Sequence, residues 1–468
     1  MFTFNDLEEV KSDEEKAEFV LNCIGEHIDS DEYQIACDAD LYYKQLNPSI
    51  MNAQKLIYNA MGQAVPDIYS ANNKIPSNYF FFFVTQLTQY LLANGVSFDN
   101  QDVKEKLGAN FDTQLAKLSD MAQKGGVAFG FWNEDHLEVF PLASETGKGT
   151  SFKPLYDEED GALKAGVRFW RLDADSPMRA TLFELDGYTE YIENKDEKLE
   201  IKQAKRAYKV TRKSWPGLPV DDMIFDRGNY PYFPIVPLWN VNRQSALVGM
   251  RETIDAYDLM LSDLINNVSD AEIIYWVLKN CNGMSPEDDE RFIEQLKMTH
   301  VVHADGDDGA NAEAHSVNVP YDASQTSLAL LRQQLFDGFM GFDAERISAG
   351  NTTATEIRAA YQKLDSKADN YEFNVIDFVQ GILRVAGLED EKFHFTRSKI
   401  INVSEEVTTV VHALTLIDEE TATRKVCELL GMTDEIEDIL QRKQAEMIQR
   451  AGLTMQMQGE TTAEEDEE

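Results

Sequence analysis

The sequence is short of positive charge. Its 468 residues carry 43 Lys and Arg against 83 Asp and Glu, a formal net charge of −40. Gripping nucleic acid by neutralising phosphates needs a basic face. This balance therefore argues against an ordinary DNA-binding module, though not against a protein that touches DNA weakly or holds it off a wall. Cysteine is scarce as well. Cys23, Cys37, Cys281 and Cys427 are scattered with no CxxC, which offers neither a zinc site nor a disulfide framework and fits a reducing compartment. The most apolar stretch, NYFFFFVTQLTQYLLANGVSF, turns polar after Val84 with Thr85, Gln86, Thr88 and Gln89. A bilayer-crossing helix needs about 20 mostly apolar residues, so no membrane association is expected. The start, MFTFNDLEEVKSDEEK, is acidic and lacks the basic region of a signal peptide. The chain thus reads as cytosolic.

Catalytic signatures are also missing. There is no GxSxG and no GxGxxG, and GKGT at 147–150 ends like a phosphate loop but has Leu142 where the first glycine belongs. The stretch HVVHADGDDGANAE brings together His300, His303, Asp305, Asp307 and Asp308. An EF-hand loop from Asp305 would need Gly at 310 and Glu at 316, where Ala310 and Ser316 stand. HExxH is absent too. A solvated loop tip is the simpler reading, and a metal-dependent hydrolase is the enzyme alternative. No catalytic residue, metal or cofactor is expected.

What is present is pattern. Residues 1–70 look helical, including one or two turns at Leu56–Met61. The phenylalanine run reads as a buried helix entered at Pro76-Ser77-Asn78 and stopped at Asn94-Gly95, followed by a second helix over about 110–123. Residues 125–215 then alternate in short runs separated by charged turns, a β-rich region. GNYPYFPIVPLWN (228–240) reads as an extended connector. From Arg243, Leu247, Met250, Ile254, Tyr257, Leu261, Leu264 and Val268 step by three and four, an amphipathic helix. A mixed segment interrupts, and Leu328, Leu331, Leu335 and Phe339 mark a further helix from near Ser324. The clearest periodicity runs through Ile357, Tyr361, Leu364, Ala368, Tyr371, Val375, Phe378, Ile382 and Val385 to a stop at Gly387. That predicts a helix of about 45–50 Å, whose seam needs a partner along its length in the same chain or a neighbouring copy. Residues 404–447 read as helical and acidic, and the tail GETTAEEDEE as low-complexity.

In this order, the segments resemble the portal proteins of tailed bacteriophages, of the SPP1 type. IDAYD (254–258) with Ser262 and Asn266 is similar to that family's first stem helix. Gly350-Asn351-Thr352 ahead of a long helix, with Leu364 and Lys367-Ala368, resembles its tunnel-side segment. NKIPSNYFFFFVTQLTQYLLANGVSF and GVAFGFWNEDHLEVFPL resemble its early helix and the hairpin after it. The resemblance covers roughly residues 70–400.

It implies an α+β, mainly helical, multi-domain, non-enzymatic subunit. The wing would be 1–242, the stem helices 243–268 and 322–340, and the clip 269–321. The tunnel loop would be 341–353, the long channel-side helix and wing return 354–400, and the crown and acidic tail 401–468. It further implies a ring, usually of twelve copies, at one capsid vertex of the virion, assembled in the host cytoplasm. Double-stranded DNA would pass through the ring. Terminase, head-completion or adaptor protein, major capsid protein and scaffolding protein would be the partners. Ile254, Tyr257, Leu261, Leu331 and Leu335 would make stem contacts between subunits. A wall of net negative charge would discourage DNA from sticking, and any grip would come from Arg346, Asn351, Arg358, Lys363 and Lys367 near the tunnel loop. The structural alternative is another capsid or connector protein that builds a ring or scaffold without conducting DNA.

Overall fold

The computed structural model describes residues 2–445 except 59–61, 68–69, 145–148, 174, 214–223, 272–274, 280–310, 316–320, 347–353, 399–402, 414–417 and 432–435. The chain is α+β and divides into two compact units. One comprises residues 1–341 and 368–397, the other residues 342–367 and 398–468.

The first unit opens with α1 (Phe4–Glu9), α2 (Asp13–Ile28), α3 (Asp31–Tyr43) and α4 (Pro48–Met51). Thr3 and Ser12 start the first two with reciprocal capping boxes to Asp6 and Glu15. Residues 56–58 do not extend this helical run. Leu56–Tyr58 is a strand, β1, paired antiparallel with β2 (Ala64–Pro66). The three-residue Leu-Ile-Tyr run is too short to nucleate a helix, and its β-branched and aromatic residues suit a hairpin arm.

The phenylalanine helix, α5, spans Tyr79–Leu92 and leads into β3 (Val96–Phe98). Phe80 and Phe83 are buried, whereas Phe81 and Phe82 are 39% and 37% exposed. Four consecutive residues cover the whole circumference of a helix, so burial of only two means α5 is packed on one side at this end. Helices α6 (Gln101–Leu107) and α7 (Phe111–Gly125) follow.

The described residues of the β-rich region contribute to three sheets. β4 (Val127–Asn133) and β5 (His136–Pro141) form the expected hairpin. A five-stranded antiparallel meander follows: β6 (Gly149–Tyr156), β7 (Leu163–Arg171), β8 (Arg179–Glu184), β9 (Gly187–Glu193) and β10 (Leu199–Arg206), with β6 and β10 at its edges. A further hairpin joins β11 (Lys209–Lys213) to β12 (Ile224–Gly228). The connector predicted at 228–240 is extended, but part of it is sheet. Ile235–Trp239, β13, pairs antiparallel with β4 and completes a three-stranded sheet in the order β13-β4-β5. Pro237 is compatible with this because β13 is an edge strand, where a missing N–H costs no ladder bond.

Next come α8 (Arg251–Ala271), the strand pair β14 (Tyr275–Lys279) and β15 (Asn311–His315), and α9 (Tyr321–Gly338). The long helix α10 runs Ala354–Ala386, 33 residues. It ends where Gly387 adopts φ +77 and Leu388 N–H reaches back to Leu383 O, a left-handed glycine stop. β16 (Phe393–Phe395) returns to pair with β3.

In the second unit, Phe342 stacks on Tyr361 with ring centroids 4.1 Å apart. That unit also holds α11 (Val403–His412) and α12 (Glu419–Leu429). Asp418 caps α12 by accepting from Thr421 N–H, and Lys443 bonds Thr423 at 2.9 Å.

Candidate functional site

The base of α8 and the end of α9 share one core with α5. Ile254 and Leu335 are fully buried there beside Phe336, Phe339, Leu247, Phe80, Phe83, Ala39 and Tyr42. Because the start of α8 meets the end of α9, the two helices run antiparallel. Phe83 stacks on Phe339 at 4.5 Å and meets Phe336 edge-on at 5.0 Å. Tyr257 packs against the same cluster and lies edge-on to Tyr79 at 4.9 Å. Leu261 and Leu331, farther along the pair, are half-buried. Ile254 and Leu335 are thus inside their own subunit, while Tyr257, Leu261 and Leu331 retain surface.

A second face of α8 is polar and buried. Asp258, Ser262 and Asn266 recur every fourth residue and are at most 2% exposed. They hold an extended segment. Ser77 N–H donates to Asp258 Oδ1 at 2.9 Å, Ile75 N–H to Ser262 Oγ at 3.0 Å and Asn73 N–H to Asn266 Oδ1 at 2.7 Å. Asn266 donates in return to Asn73 O at 3.2 Å. The match is geometric. Four helical residues rise about 6 Å and two extended residues about 6.6 Å, so every fourth side chain meets every second backbone N–H. Asn47 donates to the other oxygen of Asp258, and its own Oδ1 is buried with no partner among the described residues. Three residues before Asp258, Asp255 accepts from Tyr42 at 2.5 Å and from Ser49 at 2.7 Å. Burial, aided by that carboxylate, pushes the Tyr42 hydroxyl up to about 12.

Burial also raises the Asp258 carboxyl above its ordinary value, against the donors at Ser77 and Asn47 that favour the charge. Asp258→Ala strands two buried donors and is expected to cost about 2–4 kcal/mol. Asp258→Asn keeps an acceptor for Ser77 and offers a donor to Asn47 Oδ1 once that amide turns over, so it should stay within about 1 kcal/mol at pH 4. A raised carboxyl pKa contributes stability that is full below the unfolded value and lost as pH rises through the folded one. Melting temperatures should therefore shift in favour of Asp258→Asn between pH 4 and pH 8. An unchanged difference would show that the group carries no burial penalty.

The long helix seam is occupied by the same chain. In the first unit, Ala368, Tyr371, Val375, Phe378, Ile382 and Val385 are all buried. Tyr371 Oη donates to Ser119 Oγ at 3.1 Å, Asn374 Nδ2 to Trp239 O at 3.0 Å, and the Phe378 ring lies on Gly130 of β4. Ser119 in turn is 2.9 Å from Thr88 of α5, whose Oγ1 donates to Asp120 at 2.6 Å. Of the two partners the spacing left open, the same chain supplies the one for these residues: α7 and the three-stranded sheet pack against them.

Of the five residues expected to face DNA, three have described side chains, all on α10. Arg358 and Lys363 are exposed on α10, and Lys367 is half-buried, its ammonium lowered to about 8 by burial. Arg346 closes a short 3-10 turn with Ala344 and Glu345. Asn351, His300, His303, Asp305, Asp307 and Asp308 lie outside the described residues. No cluster of metal-binding side chains occurs among the described residues, and no helix among them is long and apolar enough to cross a membrane. Sequence reasoning picked out Asp258, Ser262 and Asn266 but missed Asn47, Asn73 and Ser77. The available signal was three polar residues at four-residue spacing beside an apolar stripe.

The family profile for phage portal proteins, SPP1 Gp6-like, matches residues 27–449. The chain is 25% identical over 419 residues to the portal protein of Bacillus phage SPP1, covering 81% of this chain and 78% of that one. It is 22% identical over 345 residues to the portal protein of Clostridium phage phiCD119, covering 69% and 74% respectively. The family is structural rather than enzymatic. The α5 core, the clamped helix pair and the long helix lie within the matched span, and the chain belongs to the SPP1 Gp6-like family of phage portal proteins.

Proposed function

We propose that the protein assembles as a ring of about twelve copies at one capsid vertex and conducts double-stranded DNA during packaging and ejection. Residues 1–242 are the wing, α8 and α9 the stem, and residues 269–321 the clip on which terminase and then a head-completion protein dock. Major capsid and scaffolding proteins surround the ring. Residues 341–353 are the tunnel loop, and residues 401–468 the crown and tail.

The observation that carries this reading is the antiparallel pair α8–α9. Its inner face is locked to α5 and to Asn73–Ser77. Elsewhere it leaves Leu259, Ile265, Val268 and Leu330 exposed by 51%, 39%, 45% and 62%. Large apolar side chains on an already anchored helix pair fit burial against a neighbour. Arg358 and Lys363, exposed on α10, are better placed to touch phosphate than half-buried Lys367.

Light scattering and negative-stain imaging of the purified protein should give rings of about a dozen subunits with a central hole. A compact dimer or tetramer without a hole would refute the reading. Replacing residues 346–353 with a Gly/Ser linker of equal length, which spares the Phe342–Tyr361 stack, should leave rings intact and abolish DNA packaging. Loss of rings would make the loop an assembly element instead.

A further inference from the structure

Helix α2 ends on a buried histidine. His27, in its last turn, is 3% exposed. The Nε2 atom lies 3.0 Å from Leu142 O, in the segment between β5 and β6. A carbonyl only accepts, so Nε2 carries the proton and donates. The imidazole meets Tyr33 of α3 edge-on at 5.1 Å and Phe169 of β7 edge-on at 6.0 Å. One neutral side chain thus joins α2 and α3 to the sheets. Tyr33 adds a hydroxyl bond to Ser144 O at 3.2 Å, and Cys37 of α3 points its thiol at the same carbonyl at 3.5 Å.

A second proton is unwelcome at this junction. The dipole of a helix ordinarily favours a cation at its C-terminus. Here burial outweighs that and lowers the imidazole to about 4, with Lys153 of β6 adding repulsion. Lys153 is itself only 2% exposed. The Leu142 carbonyl and Glu26 act the other way, but the Glu26 carboxylate is shared with Phe2 N–H at 2.9 Å. The neighbouring Tyr33 and Cys23 stay neutral: burial raises the first and pushes the second up to about 12. On β7, Arg171 stands two residues from Phe169 and is paired with Glu193 at 3.0 Å.

We propose that this junction is an acid-sensitive latch: protonating His27 frees the C-terminal part of α2 from the sheets while its first turn stays attached. The first turn has anchors of its own. Lys16 pairs with Glu184 of β8 at 3.1 Å. Helix α1, just before it, is tied to the β6–β7 turn, where Thr3 Oγ1 donates to Glu158 at 2.9 Å and Glu158 N–H to Asn5 at 3.0 Å. The part that opens carries Val20, Cys23 and Ile24, each at most 2% exposed, so release uncovers the Cys23 thiol. The imidazole is held below its ordinary 6.5. A group lowered on folding stabilises fully above its unfolded value and stops doing so as pH falls through the folded one. The latch is therefore closed above pH 6.5 and weakens toward pH 4.

The test follows Cys23 in the full chain. Its reaction with 4,4′-dithiodipyridine is read by mass spectrometry of the Cys23 peptide and scaled to a free cysteine peptide at the same pH. Between pH 7 and pH 5 the scaled rate should rise about twentyfold in the parent. His27→Gln keeps an N–H for Leu142 O but takes up no proton, so its rate should change by about twofold at most. Lys153→Met removes the repelling ammonium and should shrink the step. A flat parent, or a full step in His27→Gln, would overturn the latch. If His27→Gln does not fold, an undiminished step in Lys153→Met does the same. Hydrogen exchange at pH 5 should rise over residues 20–28 and not over 4–16. An equal rise in both would mean that the whole unit unfolds, and would overturn a local latch.

Discussion

Phe83→Ala is expected to remove about 3–5 kcal/mol of stability, whereas Phe81→Ala, two residues earlier in the same aromatic run, should remove about 1 kcal/mol or less. The two side chains differ in what they touch. Phe83 is 2% exposed and sits between Phe336 and Phe339 at the end of α9. Phe81 is 39% exposed and, among the described residues, has one aromatic contact, edge-on to Tyr43 at 5.1 Å. Truncating Phe83 opens a cavity bounded by three helices that cannot all close on it. Its effect should reach assembly, because the same core seats the α8–α9 pair on which the ring reading depends. Denaturant melts of both variants with ring formation measured in parallel are the check. Equal losses from Phe81 and Phe83 would mean that α5 is not seated as described.

This contrast shows what the sequence exposes and what it hides. The phenylalanine run announces a buried helix by composition, but which two of four adjacent rings go inside is decided by the core they share with α3, α8 and α9, elements far from it in the chain. The long helix was legible because its three-four spacing persists for nine apolar positions, and all but Ile357 are buried. Its partner was not legible, since a seam looks the same whether the facing surface belongs to the same chain or another. The strands at 56–58 and 235–239 were missed for a related reason. Both are short, and each exists through pairing with a distant or adjacent strand, not through its own periodicity. The polar ladder of α8 stood out as a pattern but not as a clamp, because its partner at Asn73–Ser77 lies 181 to 193 residues away.

The docking of the long helix offers the last test. Gly130 sits on β4 under Phe378, and a β-carbon at Gly130 would lie 2.5 Å from that ring and 3.1 Å from Leu137. Both neighbours are buried, Phe378 at 1% and Leu137 at 3%, so neither can swing into solvent. Gly130→Ala should therefore cost about 1–3 kcal/mol by overpacking, against the stabilising effect that an alanine usually has in a strand. Phe378→Ala alone should cost about 3–5 kcal/mol through the cavity it leaves. The two changes address one contact, so they should not add. In the double variant the new methyl enters space vacated by the ring, and its loss should be smaller than the sum by about 1–2 kcal/mol. Additive losses would mean that the ring does not lie on Gly130. A coupled result would fix the packing of α10 on the three-stranded sheet, and with it the physical reason why this seam is closed to neighbouring subunits.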